Sequence, residues 1–594
     1  MTVNFVFAGD FRNEFLSLTE AMLLAEGDLH TNVLHEGECN QVSTTVWLSG
    51  TCIKLFPSNG PGAGTADTIG FDETVFAPGI IQLGPQLTLP EMEAGNDTID
   101  GSGADVRLNG GGANCFEIES NGNTIKGLQL NFCGVGILAP ITTFGNTIGG
   151  FGPNDGNVIS GNAGDGITFV GGGNNSVIGN RIGTNAAGNQ AFPNGDDGIF
   201  FIDSGGLIED NLVSGNTGVG ILAVNSSLVL RGNMVGTDAD GNEAIPNTQG
   251  LVFAQGSTGK IGGTNEFDRN IFSGNLEEGI QVSGSSFLEV LGNYIGTTAD
   301  GGDPLPNGTG VRVRGTTNQN KIGGTDVGER NIIAYNTGDG VLVDSFSGTT
   351  TGNAIRGNSI HSNGGKGIEL VNGGNNEIPP PVITGFGSVF GTTCPLCTVD
   401  IYSDNSDEGH IYEGWRTAGF DGSWSFQGSL TGPNVTVTVT DPLFNTSEFS
   451  DPVSLPPPVT PTPSLTVTVT PTPAPSFTPT LSPTTTPSDT ATATSTPGAF
   501  VWGDVDCSGT INPVDSLKTL RYDAGLSVEQ ANDCPPIGEP FSFDGAQELW
   551  GDVDCSGAVT PVDSLKGLRF DAGLTVFQED GCPPIGSSVE SGAQ

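Results

Sequence analysis

Two stretches near the end of the chain carry oxygen-bearing side chains at the spacing of a metal-binding loop. Residues 503–521 read GDVDCSGTINPVDSLKTLR, and residues 551–569 read GDVDCSGAVTPVDSLKGLR. A twelve-residue calcium loop takes oxygen ligands at its first, third, fifth, seventh, ninth and twelfth positions, with glycine at the sixth position for the sharp turn. Both stretches satisfy this pattern, which predicts two bound calcium ions.

The two predicted loops are copies of one another, separated by 48 positions. The predicted ligands of the first loop are Asp504, Asp506, Ser508, Thr510 through its backbone carbonyl, Asn512 and Asp515. Those of the second loop are Asp552, Asp554, Ser556, Ala558 through its backbone carbonyl, Thr560 and Asp563. After each loop, leucines recur at the i, i+3 spacing of a helix, first at Leu517 and Leu520 and again at Leu565 and Leu568. Each loop is therefore predicted to lead into one helix.

A calcium loop followed by one helix, present twice, resembles the type I dockerin family over about residues 502–590. The resemblance implies two calcium ions and a symmetric face that docks onto a cohesin-like domain of a scaffold or surface protein. Two features depart from the family: Cys507 and Cys555 lie inside the loops, where we expect them to pair with Cys534 and Cys582, and the link between the copies is longer. These departures concern partner recognition more than the calcium ligands.

The composition narrows the remaining function classes. The chain has 594 residues with 66 acidic and 19 basic side chains, which gives a formal net charge of −47. A nucleic-acid partner is excluded on this basis, because phosphate binding needs clustered Lys and Arg. The 94 glycines and the scarcity of charged residues favour turn-rich β structure. No apolar stretch is long enough to span a membrane.

The ten cysteines indicate an oxidising compartment. They fall into five local pairs: Cys39/Cys52, Cys115/Cys133, Cys394/Cys397, Cys507/Cys534 and Cys555/Cys582. The CPLC motif at 394–397 could instead hold a metal or act in redox chemistry, although no second CxxC completes a zinc set. The start MTVNFVFAGD has neither the basic residues nor the apolar core of a secretory signal. We therefore expect an extracellular or cell-surface protein whose start is truncated or misassigned.

Between about residues 145 and 372 the chain repeats short β-like units. NVISGN, NLVSGN, NIFSGN and NIIAYN alternate with GNRIGT, GNMVGT and GNYIGT, and strands such as GITFV, GIFFI and GVRVR separate them. Repeats of this length indicate a solenoid. Alternation points Ile167 and Phe169 inward, and asparagines at matching positions are expected to stack into hydrogen-bonded ladders. The repeats resemble the right-handed parallel β-helix with NosD-like repeats.

The rest of the chain predicts four further parts. Residues 1–60 contain LSLTEA, which resembles the CSLREA box of bacterial surface β-helices, and should cap the β-helix of residues 61–376. Alternating strands over 377–454 predict a small Ig-like β-sandwich. The Pro/Thr/Ser tract 455–499 is predicted to be an extended linker, and residues 500–594 form the dockerin-like tail with an α-helical, calcium-binding architecture.

Few residues of the solenoid suggest catalysis. Asp196 and Asp197 are the one tempting carboxylate pair, but they lie beside a turn, so a solvated turn is the preferred interpretation. His361 is the one histidine of the repeats. Arg312 and Arg314 share the outward face of one strand and are candidates for binding an anionic sugar, against the simpler interpretation that they relieve local negative charge. No catalytic residue is assigned.

The sequence thus predicts a modular β protein that presents a β-helix for adhesion or glycan binding and is tethered through its tail. The alternative is a polysaccharide lyase or glycoside hydrolase that the tail carries into a cohesin-based complex. A third interpretation makes the tail a calcium-stabilised module without a cohesin partner.

Overall fold

A computed structural model of the chain contains two compact units, residues Met1–Ser464 and Leu465–Gln594, called here the N-terminal unit and the tail unit. The structure describes residues 2–3, 21–23, 45–48, 51–54, 66–71, 79–83, 89–326, 328–385, 389–454, 499–508, 511–523, 528, 530, 534–543, 546–553, 555, 559–571, 582–583, 585 and 587–590. Most of the predicted cap and nearly all of the predicted linker lie outside these residues, as do Thr510, Asp554, Ser556, Ala558 and Cys39.

Three long parallel sheets run along the N-terminal unit. The first consists of Thr2–Val3, Thr68–Phe71, Thr98–Asp100, Thr124–Lys126, Thr147–Gly149, Asn175–Ile178, Gly205–Glu209, Ser227–Arg231, Thr258–Gly262, Leu288–Leu291, Lys321–Gly323 and Ala354–Arg356. The second consists of Gly79–Gln82, Val106–Asn109, Leu128–Asn131, Val158–Ile159, Arg181–Ile182, Leu212–Val213, Met234–Val235, Ile271–Phe272, Tyr294–Ile295, Ile332–Ala334 and Ser359–His361. The third consists of Phe116–Glu117, Ile137–Ala139, Ile167–Val170, Ile199–Ile202, Val219–Val224, Gln249–Ala254, Glu278–Ser283, Thr309–Arg314, Val341–Asp344 and Ile368–Val371. Each turn of the chain adds one strand to each sheet, so the fold is a parallel β-solenoid.

The solenoid core is built from the alternate residues that the repeats point inward. In the third sheet Ile167 pairs in register with Ile199, and Phe169 with Phe201, whose ring centroids lie 4.9 Å apart. All four side chains are fully buried, as are their successors Ile221 and Leu251 in later turns. Burying each such side chain contributes about 1.5–3 kcal/mol. A single turn cannot bury its own inward side chains, so this stabilisation arises only when turns stack. The predicted inward columns are therefore confirmed.

Asparagine ladders close two corners of the solenoid, as the repeats predict. One runs through Asn157, Asn180, Asn211, Asn233, Asn270, Asn293, Asn331 and Asn358. In this ladder the backbone N–H of each residue donates to the Oδ1 atom of the next one. The second runs through Asn162, Asn194, Asn216, Asn247, Asn275, Asn307, Asn336 and Asn363. Such ladders satisfy buried backbone and amide groups at every tight corner.

The residues after the solenoid form two small antiparallel sheets that share a core. One sheet contains Val382–Gly385, Val389–Thr392 and Ser423–Phe426, and the other contains Thr398–Asp404, Ile411–Thr417, Asn434–Thr440 and Val453–Ser454. Trp424 and Phe426 of the first sheet pack in one cluster with Ile401 and Val437 of the second. This two-sheet module occupies the stretch for which an Ig-like sandwich is predicted. The finer Ig-like assignment remains a prediction.

Further short elements complete the N-terminal unit. Thr45–Leu48 pairs antiparallel with Thr51–Lys54, Thr143–Phe144 pairs parallel with Gly172–Gly173, and 3-10 helices span Glu266–Asp268 and Gly374–Glu377. Ala21 and Met22 are buried in the same core cluster as the solenoid columns. No helix in the described part of the chain is long and apolar enough to cross a membrane.

Among its described residues, the tail unit contains two helices, α1 (Pro513–Asp523) and α2 (Pro561–Asp571), which contact each other. Ala499–Val501 pairs antiparallel with Ser588–Glu590, and Pro540–Phe543 pairs antiparallel with Ala546–Leu549. The core between them is a cluster that includes Trp502 and Trp550, both almost fully buried. The 48-residue repeat of the sequence thus reappears as two related halves of one small unit.

Disulfides join four of the five expected cysteine pairs. Cys115 is bonded to Cys133, Cys394 to Cys397, Cys507 to Cys534, and Cys555 to Cys582. The bond within the CPLC motif uses both thiols, so the metal-binding interpretation of that motif is wrong. The two bonds in the tail unit each tie a calcium-like loop to a residue 27 positions later.

The fifth expected pair, Cys39 with Cys52, stays a prediction. Cys52 belongs to the strand Thr51–Lys54, where its backbone stands opposite Trp47 of the neighbouring antiparallel strand. Cys39 lies outside the described residues, so the bond between the two cysteines is not tested by the structure.

Candidate functional site

The first loop of the tail unit gathers three carboxylates. Ligand oxygens of Asp504, Asp506 and Asp515 all lie within 4.8 Å of one another. Backbone groups hold this arrangement: the N–H of Ser508 donates to Asp504 Oδ1 at 2.9 Å and to Asp506 Oδ1 at 3.0 Å, and the N–H of Asn512 donates to Asp515 Oδ2 at 2.9 Å. The loop is therefore folded around its carboxylates by its own backbone.

The chemistry of this donor set fits a hard divalent cation. Asp504 and Asp515 are almost completely buried, and burial, reinforced by the neighbouring Asp506 and Asp504, raises the pKa of Asp515 to about 6. Clustered, buried carboxylates repel each other unless a proton or a cation neutralises them. Calcium, which binds carboxylate and carbonyl oxygens, would contact all three and offset two of their three negative charges.

Asp506 has a cationic neighbour in the structure. The Lys518 ammonium on α1 lies 2.9 Å from Asp506 Oδ2. Burial opposes ionisation of Asp506, but hydrogen bonds from Lys518 and Ser508 lower its pKa. Lys518 thus compensates part of the negative charge of the loop. The sequence pattern gave no reason to expect this contact.

The second loop reproduces the parts of the first that the structure describes. Asp552 and Asp563 are buried like their counterparts Asp504 and Asp515. Both the N–H and the hydroxyl of Thr560 donate to Asp563 Oδ2, at 2.8 and 3.0 Å. The structure therefore brings together the first and last predicted ligands of the first loop and buries their counterparts in the second loop.

Both helices of the tail unit expose apolar side chains. On α1, Leu517 is 56% exposed and Leu520 is 40% exposed. On α2, Leu568 and Phe570 are each 39% exposed. Tyr522 corresponds to Phe570 in the 48-residue repeat and is also exposed. A small unit that leaves this much apolar surface uncovered has a surface suited to a protein partner.

Arg312 and Arg314, the candidate sugar-binding pair, do not form one cationic site. The Arg312 guanidinium lies 3.0 Å from Glu278 Oε1 and 3.3 Å from Asp344 Oδ2, on the preceding and following turns of the solenoid. Its charge is thus balanced within the third sheet. Arg314 forms no ion pair with the residues that the structure describes. The arrangement favours the interpretation that Arg312 relieves local negative charge.

Asp196 and Asp197 meet a third carboxylate that sequence reasoning missed. Carboxylate oxygens of Asp165, Asp196 and Asp197 lie within 4.8 Å of one another. Burial, with the charges of Asp165 and Asp196, raises the pKa of Asp197 to about 6. The signal was present, because Asp165 and Asp197 both immediately precede a Gly-Ile pair.

The same carboxylates also have structural hydrogen bonds. Asp197 Oδ1 accepts from the N–H of Val219 at 2.7 Å, Asp165 Oδ1 accepts from the N–H of Asp197 at 3.1 Å, and Asp165 Oδ2 accepts from the Thr168 hydroxyl at 2.6 Å. They bridge successive turns at the edge of the third sheet. These structural hydrogen bonds are enough to explain why the carboxylates are buried.

The two-sheet module packs on the last turn of the solenoid through a buried ion pair. Arg356 Nε and Nη2 each donate to a carboxylate oxygen of Asp400 at 2.7 Å, and the Tyr412 hydroxyl donates to Asp400 at 3.1 Å. The Tyr402 hydroxyl accepts from the N–H of Gly357 at 3.0 Å. This junction fixes the module against the end of the solenoid.

The module also terminates the second asparagine ladder. Asn363, its last member, donates its N–H to Glu408 Oε2 at 3.3 Å. Burial raises the pKa of Glu408 to about 7. Beside it, the rings of His361 and His410 lie 3.9 Å apart, and burial, with the His410 charge, lowers the pKa of His361 to about 4. His361 therefore packs at the junction between the solenoid and the two-sheet module. Among the described residues it forms no ion pair with a carboxylate.

Comparison with known protein families identifies the type of solenoid. Residues 105–295 match the family model described as a right handed beta helix region. The chain contains a right-handed β-helix. No curated protein matches the chain.

Solved structures with similar folds come from several organisms. The mannuronan C-5 epimerase AlgE6 A-module of Azotobacter vinelandii is 15% identical, covers 52% of this chain and 82% of its own, and has a TM-score of 0.30. PfbA, a surface adhesin of Streptococcus pneumoniae, is 10% identical; the match covers 63% of this chain and 89% of PfbA, with a TM-score of 0.28. ORF18 of Geobacillus virus E2 is 13% identical; the match covers 70% of this chain and 74% of ORF18, with a TM-score of 0.16. At these scores the similarities give no argument about activity.

Proposed function

We propose that this is an extracellular binding protein whose β-helix is held on a partner by a calcium-loaded tail. One observation carries the proposal: the tail unit gathers the carboxylates of Asp504, Asp506 and Asp515 in one loop and buries their counterparts Asp552 and Asp563 in a second loop of the same design. Calcium would be held by these residues and would supply the charge compensation that fixes both loops before α1 and α2.

The partner that fits this tail is a cohesin-like domain. The exposed leucines of α1 and the exposed Leu568 and Phe570 of α2 offer two related apolar surfaces, and buried apolar anchors supply most of the energy of a protein interface. The disulfides support an extracellular location, because such bonds persist in oxidising compartments. The β-helix is then the part presented to the surroundings, for adhesion or glycan binding.

The direct test is retention of the full chain on an immobilised type I cohesin, with calcium and with a chelator. We expect retention with calcium and release with chelator, and loss of retention in an Asp504→Asn, Asp552→Asn double variant. Retention that persists in the chelator would contradict calcium-dependent tethering. Calcium binding without any cohesin retention would leave the tail as a calcium-stabilised module only.

A glycoside hydrolase is the second candidate, favoured by the triad Asp165, Asp196 and Asp197. Glycosidases use two carboxyl groups, and the acid of the pair has a raised pKa, as Asp197 does here. Incubation with pectic, alginate and neutral polysaccharides, with new reducing ends as the readout, tests it. Turnover that Asp197→Asn abolishes would establish the enzyme; no turnover on any polymer supports the binding protein.

A further inference from the structure

A cleft lies where the two-sheet module meets the first sheet of the solenoid. Its volume is about 600 Å³, within the range of about 300–1,000 Å³ typical of small-ligand sites, which favour such boundaries. Gly323, Gly324 and Ala354 contribute no bulky side chains to its lining, which gives it depth. From this cleft we infer a binding site for a neutral oligosaccharide.

The cleft is formed by rigid parts of the molecule. Arg356 lines it and is fixed by its two bonds to Asp400. On the opposite side, the loop that carries Phe444 is anchored to the solenoid because Asn445 Oδ1 accepts from the N–H of Gly352 at 2.6 Å. A preformed cleft loses less conformational entropy when it binds a ligand.

One aromatic ring lines the cleft, and a second lies near its Arg356. Phe444 lines it and is 54% exposed, and Trp415 is 47% exposed with its ring centroid 6.0 Å from the Arg356 guanidinium carbon. Phe444 has φ of 67°, a left-handed conformation that costs a bulky residue about 1–2 kcal/mol. A half-exposed aromatic ring is available to contact the apolar face of a ligand.

The polar groups of the cleft suit hydroxyl groups rather than an anion. The Lys321 ammonium is 2.6 Å from Glu329 Oε1, and Arg356 is paired with Asp400, so neither cation is left to bind a carboxylate. The side-chain amide of Gln319, which lines the cleft, has no hydrogen-bond partner among the described residues. The cleft therefore offers polar groups without a free cation beside a partly apolar surface. In a chain of net charge −47, an anionic sugar would be repelled.

This inference rests on the proposed role in glycan binding and names its site. It concerns a different part of the chain from the tethering proposal, because all residues that line the cleft belong to the N-terminal unit. The test is calorimetric titration of the full chain with cellohexaose, mannohexaose and xylohexaose, and with hexagalacturonate as the anionic comparator, each in calcium and in chelator. Retention on the cohesin is measured on the same samples.

Two variants and one control localise the binding. Phe444→Gly removes the ring and relieves the left-handed strain, so its unfolding midpoint should not fall while affinity falls at least tenfold. Gln319→Gly, at another left-handed position, should weaken binding severalfold. Phe420→Ala changes a phenylalanine of the same module that is 86% exposed and does not line the cleft; it should bind as the unaltered chain does.

We expect at least one neutral hexasaccharide to bind equally in calcium and in chelator, and hexagalacturonate not to bind. Binding that survives Phe444→Gly, tighter binding of hexagalacturonate, or no binding of any neutral hexasaccharide would each overturn the inference. Failure of cohesin retention alone would count against the tethering proposal and not against the cleft.

Discussion

Arg356 and Asp400 join the β-helix to the following module by two hydrogen bonds of 2.7 Å. Asp400 has no solvent-exposed side-chain surface, and Arg356 lines the proposed sugar cleft. The pair therefore holds the last turn of the solenoid against the module and fixes the position of Arg356 in the cleft wall.

Asp400→Ala should open this junction. The substitution leaves the Arg356 charge largely buried without its partner, a change that typically costs about 3–5 kcal/mol. Hydrogen exchange of peptides covering 354–356 and 398–404 measures the local opening and should accelerate by a factor of more than about one hundred. The double variant Arg356→Met, Asp400→Leu is the control, because removing both charges is far less costly. Unchanged exchange in Asp400→Ala would show that the pair does not hold the junction.

Glu408 should make the N-terminal unit sensitive to pH. Its pKa in the folded protein is raised from 4.5 to about 7, so its stabilising contribution is complete below about pH 4.5 and is lost as the pH rises through about 7. Glu408→Gln should therefore raise the calorimetric unfolding temperature at pH 8 and change it little at pH 5. His361 acts in the opposite sense, since its lowered pKa costs stability as the pH falls from 6.5 towards 4, and Glu408→Gln leaves that loss in place. An equal effect of Glu408→Gln at both pH values would refute the assignment.

The Cys507–Cys534 disulfide should preorganise the first loop. Closing a loop of this length by a covalent bond stabilises a protein by about 3–4 kcal/mol in the chain-entropy model. Cys507→Ser with Cys534→Ser should lower the unfolding temperature of the tail unit and weaken the proposed calcium site of the first loop. The matched control is Cys555→Ser with Cys582→Ser, which should weaken the other site. Calcium affinities that do not respond to either pair would show that the disulfides are independent of the loops.

The exposed leucines of α1 should carry docking without taking part in calcium binding. Leu517→Ser with Leu520→Ser should reduce retention on the cohesin more than about tenfold, as expected for apolar anchors at the centre of an interface. Calcium stoichiometry should stay the same. Phe420→Ser, which removes an exposed phenylalanine from the N-terminal unit, should leave retention unchanged. A loss of retention in that control would point to nonspecific apolar adsorption.

Periodic features of this protein could be predicted from its sequence, because their partners recur at the same position of each turn. Ile167 and Phe169 flank Thr168 and have apolar counterparts at the same positions of later turns, and the asparagine at position 157 recurs in every later turn, so the inward columns and the ladders follow from the repeat. The calcium-like loops follow from spacing within one short segment. Non-periodic contacts could not be predicted in this way.

Three such contacts decide how the candidate sites should be understood. Arg312 stands in register with Gln281 and Leu342, and its long side chain reaches diagonally to Glu278 and Asp344. The meeting of Arg356 with Asp400 depends on packing between two modules. The cleft beside Phe444 exists because a loop of one module lies over a sheet of the other, and no local pattern in either segment encodes that placement.

Calcium titration of the full chain tests the central claim most directly. Isothermal calorimetry on chelator-treated protein should show two calcium ions bound per chain, and Asp515→Asn or Asp563→Asn should each remove one of them, because each variant removes a buried carboxylate of one loop. The double variant should bind none. Absence of calcium binding by the unaltered chain, or an unchanged stoichiometry in the double variant, would contradict the account of the tail and the tethering built on it.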